Sequence, residues 1–271
     1  MSDNKSVDVG KVWWFWFTTN AFAVDKRLRR IFRLLPHDPR CKFCNAPFQG
    51  VGGIIVRVLF GKQRSVLNPR FCNLCEAASR EFPGGAEVEM SMLFVDVRGS
   101  TALSEKMSAT EFSRLINRFY TASTKIITDE DGVVEKLAGD AVAAFWGAGF
   151  AGPNYVRRTI NVAQHLARKM AQQEIPVGIG VHSGVAYFGA MGTADGLTDI
   201  SAIGDEVNTA ARLASQAAAG EIIVSEHALN EADIDGGELE PRSLELKGLS
   251  EPVLVRVMRG SQLNQRHLEG L

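Results

Sequence analysis

The way hydrophobic periodicity changes between residues 86 and 260 restricts the fold more than any other feature. Residues 90–97 form an apolar run, read as a strand, that stops at Gly99-Ser100-Thr101. Phe112, Leu115, Ile116, Phe119 and Tyr120 then recur on one stripe, which predicts a helix over 108–129. Two strand-like runs hinged at Gly139-Asp140 predict a hairpin over 132–146. A helix follows at 154–173, then a strand at 177–184 with further strand segments through 203. Beyond that the pattern gives a helix from 205 to about 218, a strand at 221–224, and late strands at 242–247 and 253–258. Strand–helix–hairpin–helix–strand is the ferredoxin-like α+β plan with additions.

A chain of 271 residues has room for such a domain and a smaller module. With 45% apolar and 23% charged residues it is globular in composition, not disordered. A formal net charge of −1 removes any global attraction to nucleic acid, so no nucleic-acid partner is expected. The first ten residues are polar, and the apolar stretch 12–24 lacks a small-residue cleavage site. It also falls short of the ~20 apolar residues that span a bilayer. The expectation is a cytoplasmic protein, with a peripheral place at the inner membrane face as the variant.

Residues 1–40 form an aromatic and basic segment. Trp13-Trp14-Phe15-Trp16-Phe17 precedes a run in which Leu28, Ile31, Phe32 and Leu35 keep helical spacing among arginines, until Pro36 and Pro39 end it. Between residues 11 and 40, Lys11, Lys26, Arg27, Arg29, Arg30, Arg33 and Arg40 face only Asp25 and Asp38. Two readings stay open for it. The aromatic cluster packs on the protein body or a dimer partner, or residues 1–35 contact an anionic membrane surface.

Residues 41–80 contain all four cysteines, as Cys41-Lys42-Phe43-Cys44 and Cys72-Asn73-Leu74-Cys75 with 27 residues between the pairs. Two Cys-x-x-Cys turns in a chain without a leader point to a metal in a reducing compartment, not to disulfides. Four thiolates suit a structural Zn²⁺, and iron or an iron–sulfur centre uses the same ligands. Gly50, Gly52, Gly53 and Gly61 read as punctuation of a small loop-rich module. A linker is expected around Glu81–Gly85, a catalytic domain over 86–260 and a tail at 261–271.

Asp96 ends a strand and Asp140 sits at a hairpin tip. Each alone is an ordinary turn residue. Together they are the oxygen ligands that Mg²⁺ or Mn²⁺ prefers. Ile203-Gly204-Asp205-Glu206-Val207-Asn208-Thr209-Ala210-Ala211-Arg212 opens a helix with Asn208 and Arg212 four apart, on one face. His182, on an apolar strand, reads as a satisfied core or interface histidine.

These residues resemble the class III adenylate/guanylate cyclase family over about residues 88–258. The resemblance implies that Asp96 and Asp140, with the Val97 carbonyl as a further oxygen, hold two Mg²⁺ or Mn²⁺ ions. One ion activates the ribose 3′-hydroxyl of a nucleoside triphosphate and the other binds its phosphates. Asn208 would orient the ribose and Arg212 would offset charge on the α-phosphate. Lys136 and Ser201 match the base-reading positions, where lysine accompanies ATP and glutamate accompanies GTP; Ser201 resembles a subgroup with a hydroxyl there. Lys247 matches a lysine that contacts the triphosphate. In the family, the metal aspartates come from one subunit and the Lys/Asn/Arg set from the other, which implies a homodimer with two composite sites. The expected activity is an adenylate cyclase making cyclic AMP and pyrophosphate. The alternatives are a guanylate cyclase, or a weak nucleotide-binding, metal-sensing protein.

Overall fold

The computed structural model describes residues 8–19, 23–36, 38–192 and 198–259. The expected tail at 261–271 and the first seven residues of the aromatic and basic segment lie outside them. Helices α1 (Val9–Thr18), α2 (Ala23–Leu34), α3 (Gly50–Phe60) and α4 (Asn73–Glu81) come first. Strand β1 (Gly84–Val97) leads into α5 (Ser100–Lys106), α6 (Ala109–Asp129), β2 (Val133–Ala138) and β3 (Ala141–Trp146). Next come α7 (Ala148–Ala151), α8 (Tyr155–Gln172), β4 (Val177–Gly192) and β5 (Thr198–Ile203). The chain then forms α9 (Asp205–Gln216), β6 (Glu221–Ser225), α10 (Glu226–Glu231), β7 (Glu240–Leu244) and β8 (Val253–Arg259). Two compact units result: residues 1–89 with 147–153 and 185–204, and residues 90–146 with 154–184 and 205–271.

In the second unit the strands follow the order β2-β3-β1-β4-β6-β8-β7, to which β1 and β4 contribute residues 90–97 and 177–184. The 2-3-1-4 portion, with α6 and α8 as connections, is the ferredoxin-like arrangement the sequence predicts. A capping box fixes where α6 begins: Ser108 caps the Glu111 N–H and the Glu111 carboxylate returns to the Ser108 N–H. Its inward stripe (Leu115, Phe119, Ser123, Ile126, Ile127) is buried, as are Ile160, Ala163, Leu166 and Met170 of α8. Met92 and Leu93 of β1 and Phe145 and Trp146 of β3 are almost fully buried, alternate residues filling the two faces of the sheet. Burying side chains of this size contributes roughly 1.5–3 kcal/mol each.

The hairpin runs as expected, with Gly139 at φ 63° in its tip, but its register carries a detail the sequence did not reveal. Val134 pairs with Ala144 and Lys136 with Ala143, so Glu135 is an extra residue, a bulge just before Lys136. Helices α5 and α10 are also additions to the expected order, and β4 runs on to Gly192.

In the first unit, the glycines of residues 50–61 do not make loops; they build α3. The backbone of Pro36 lies 2.4 Å from where a Gly52 Cβ would sit, and that of Phe48 lies 2.6 Å from a Gly53 Cβ. These glycines let a helix press against neighbouring backbone. Gly61, at φ 63°, closes α3 as a left-handed cap. The aromatic cluster divides between two fates. Trp13 and Phe17 are buried, the Trp13 indole N–H donates to the Phe82 carbonyl at 2.9 Å, and Phe17 stacks on Phe150 and Phe188. Trp14 and Phe15 stay half exposed. Among the described residues, no helix is long and apolar enough to cross a membrane.

Candidate active site and cysteine centre

Asp96 and Asp140 meet because β1 and β3 are neighbours. Asp96 pairs with Ala141, and the Val97 N–H donates to the Asp140 carbonyl at 2.9 Å. Each carboxylate has one oxygen engaged: Asp96 Oδ2 by the Arg98 guanidinium, Asp140 Oδ2 by the Ser100 hydroxyl. Neither Oδ1 accepts a hydrogen bond among the described residues. Burial pushes the Asp96 carboxyl above its ordinary range. Arg98 pulls it back, while the Asp140 charge adds to the rise. Two half-buried carboxylates with an oxygen to spare fit a divalent cation. Arg98 and Ser100 are the residues that sequence reasoning missed here. The signal was available, since a cation and a hydroxyl lie within four residues of Asp96 in the turn that ends β1.

Helix α9 presents Asn208 exposed and Arg212 half-buried, because Thr209, Ala210, Leu213 and Ala214 take the inward face. It lies directly on β4. A Cβ on Gly180 would come within 2.3 Å of the Ala214 nitrogen, and one on Gly178 within 2.6 Å of the Ala217 carbonyl. Arg212 Nη2 lies 3.4 Å from the Cβ position of Gly248, so the turn that carries exposed Lys247 is beside it. Arg98, the partner of Asp96, also donates to the Ser215 carbonyl at 3.0 Å, tying the β1 end to the end of α9. Lys136 is exposed on β2 just past the bulge. Ser201 belongs to the first unit, on β5 opposite Gly189. Among the described residues, no hydrogen bond or ion pair joins Asp96 or Asp140 to Asn208, Arg212, Lys136 or Lys247.

His182 is buried and partnered on both sides, by Ser225 Oγ at 2.7 Å through Nδ1 and by Glu206 Oε2 through Nε2. Burial lowers its pKa against the pull of Glu206, in line with a satisfied core histidine.

The four cysteines converge in the first unit. Their sulfurs all lie within 4.8 Å of one another, and Cys44 Sγ is 3.8 Å from Cys72 Sγ. A metal bound at about 2.3 Å by four thiolates sets sulfurs roughly 3.8 Å apart, so the cage fits a single ion. Backbone N–H groups point at the sulfurs, from Cys72 to Cys41 at 3.3 Å and from Cys75 to Cys72 at 3.4 Å. Hydrogen bonds from Cys41, Cys44 and Cys75 hold the Cys72 thiol far below its ordinary pKa. The same contacts push the Cys44 and Cys75 thiols well above their ordinary range, so protons are shared unevenly among the four sulfurs. Burial would lower the Lys62 pKa, yet electrostatic interaction with the cysteine cluster raises it.

Residues 85–253 match the model of the adenylate and guanylate cyclase catalytic domain. The fold is shared with a crystal structure of a guanylyl cyclase, at a TM-score of 0.59 and 24% identity over 64% of this chain and 93% of that one. It is shared as well with the adenylyl cyclase CyaB from P. aeruginosa, at 0.57 and 28% over 64% and 94%. An uncharacterized protein of Mycobacterium tuberculosis is 33% identical over 166 residues, 58% of this chain and 29% of that protein. An adenylate cyclase of Anabaena cylindrica is 31% identical over 142 residues, 46% of this chain and 26% of that protein. The chain thus spans less than a third of the length of these two relatives. It belongs to the class III adenylate/guanylate cyclase family, an α+β catalytic fold joined here to a four-cysteine cluster able to bind a metal.

Proposed function

We propose that the protein is an adenylate cyclase that converts ATP to 3′,5′-cyclic AMP and pyrophosphate at sites shared between two copies of the chain. The observation that carries this reading is the pairing of Asp96 with Asp140 at the β1–β3 strand ends, in a chain that keeps Asn208 and Arg212 one helical turn apart. Divalent Mg²⁺ or Mn²⁺ held by Asp96, Asp140 and the Val97 carbonyl would supply Lewis acidity to the 3′-hydroxyl and the phosphates. Asn208 orients the ribose, and the Arg212 guanidinium meets charge that builds on the α-phosphate. Lys247 contacts the triphosphate. Lys136 donates to the acceptor edge of adenine, and the Ser201 hydroxyl completes base selection. A donor at Lys136 suits adenine better than guanine, which favours ATP over the guanylate alternative. A dimer is typical of this family, which supports two half-sites that a homodimer completes. We assign Zn²⁺ to the cysteine cage as a structural ion, since all four positions are protein thiols.

Purified protein incubated with ATP or GTP and Mn²⁺, with the cyclic product identified by mass, tests the activity. Cyclic GMP as the main product would reverse the base assignment. Asp96→Ala and Asn208→Ala chains should each be inactive and should regain activity when co-expressed, because one site of the mixed dimer is intact. Failure to regain it would make the site internal to one chain.

A further inference from the structure

Strand β5 is held on one side by β4 and on the other by the cysteine module. Lys42, inside the first cysteine turn, is almost fully buried along its side chain. Its ammonium donates to Asp199 Oδ1 at 3.0 Å and to the Ile200 carbonyl at 2.8 Å. Arg70, two residues before Cys72, holds the other oxygen, Asp199 Oδ2, at 2.9 Å. The Lys42 backbone N–H donates to the Arg70 carbonyl at 2.8 Å, so the two cations are fixed to each other as well. Two more contacts reach the start of the strand. Asn68 Nδ2 donates to the Thr198 carbonyl at 2.8 Å, and Ser79 of α4 shares a 2.9 Å hydrogen bond with the Thr198 hydroxyl. Helix α4 is the one that Cys72 caps and Cys75 occupies.

Asp199 and Ser201 stand two apart on β5, so they share a face of the strand. Ile200 and Ala202, on the other face, are buried. A carboxylate gripped by two cations is therefore a same-face neighbour of the proposed base-reading hydroxyl, two residues along the strand. We propose that the cysteine module is a metal-set clamp on β5, in which Lys42 and Arg70 act through Asp199 as positioning residues for Ser201. A metal joining Cys41, Cys44, Cys72 and Cys75 fixes the two turns that carry Lys42 and Arg70, and the ion pairs pass that order to β5. Occupancy of a site that touches no nucleotide thus governs how well the base is read. The proposal rests on the cysteine-metal and Ser201 readings above.

The test is hydrogen–deuterium exchange of full-length protein over residues 198–203, with β6 as internal reference, in wild type, Lys42→Met, Asp199→Asn and Cys41→Ser/Cys44→Ser chains. The expected result is exchange about tenfold faster in 198–203 in all three variants, with β6 unchanged. Unchanged exchange in Lys42→Met and Asp199→Asn overturns the clamp. The second measurement is the ATP:GTP ratio of kcat/KM, or of binding affinity for non-cyclisable analogues, with Ser201→Ala as reference. Lys42→Met should shift that ratio in the same direction as Ser201→Ala, several-fold, mainly through KM or affinity, and Lys42→Arg should restore part of it. A ratio that moves in Ser201→Ala but not in Lys42→Met overturns the link from clamp to base. A ratio that Ser201→Ala leaves unmoved removes Ser201 from base reading, and the hold on β5 is then decided by exchange alone. A cysteine variant that keeps wild-type exchange while the other two lose protection removes the metal from the clamp.

Discussion

The two candidate metal centres of this chain are opposites in every physical respect. The cysteine cage gathers four soft sulfurs, three of them buried, with backbone N–H groups aimed inward and no position left over. The aspartate pair offers two hard oxygens, half-exposed, each with one oxygen committed and one open. A closed site contributes to folding, whereas an open one must leave room for substrate. On the proposed reading, one chain would assign one metal to architecture and others to chemistry through ligand softness and burial.

Removing ligands from the closed site gives the largest expected effect. Elemental analysis should find one metal per chain in wild type and none in Cys41→Ser/Cys44→Ser, which should also lose on the order of 10 kcal/mol of ordering in residues 41–80. Limited proteolysis should then cut within that segment. A metal-free variant with wild-type resistance would erase the distinction between the two centres. Asp96→Ala or Asp140→Ala should do the reverse, leaving circular dichroism and Tm near wild type while turnover falls at least a hundredfold, a barrier change of about 2.7 kcal/mol. Turnover above a tenth of wild type would make these carboxylates bystanders.

A third carboxylate sharpens the comparison. Glu221 on β6 is buried and saturated, with both oxygens held by Arg242, a further bond from the Ala218 N–H, and two from Arg259. Arg242 leads these in pulling its pKa down to about 2, against burial, whereas burial raises Asp96. The folded-state value lies below the ordinary 4.5, so the stabilisation is complete above that pH and fades as pH falls toward 2. Glu221→Gln should therefore cost about 2 kcal/mol at pH 7, read as a lower urea midpoint. The gap to wild type should close between pH 4.5 and 2. A gap that does not vary with pH would mean that the arginines act through packing.

The smallest effect is expected at Lys136. Lys136→Glu should lower the ATP:GTP ratio of kcat/KM several-fold, about 1 kcal/mol, without full conversion while Ser201 remains. An unchanged ratio would take Lys136 out of the base pocket.

Most of the second unit was legible because its elements follow period rules. The stripe from Phe112 to Tyr120 needed a buried face, and the runs around Gly139-Asp140 could only pair with each other. The approach of Asp96 to Asp140 follows instead from β1 lying beside β3, which the ferredoxin-like plan supplies. The first unit was less legible, for a physical reason. Gly52 and Gly53 signal loops when the backbone must turn, but here they thin a helix so that it can touch Pro36 and Phe48. Nothing local distinguishes the two uses. The bulge at Glu135 and the grip of Lys42 on Asp199, 157 positions apart in sequence, are tertiary facts that no window of residues contains.

The seating of α9 on Gly178 and Gly180 carries a consequence of its own. Most helices rest on a cushion of side chains, whose gradual replacement lets the helix drift by fractions of an ångström. Here helix backbone meets strand backbone, with Gly180 a bare Cα beneath Ala214. Neutral substitution in the surrounding core has little leverage on such a joint, so the stations of Asn208 and Arg212 are insulated from mutational drift. The cost is brittleness: a single methyl group at position 180 would displace the whole helix, and no compensating change of a neighbouring side chain could restore it.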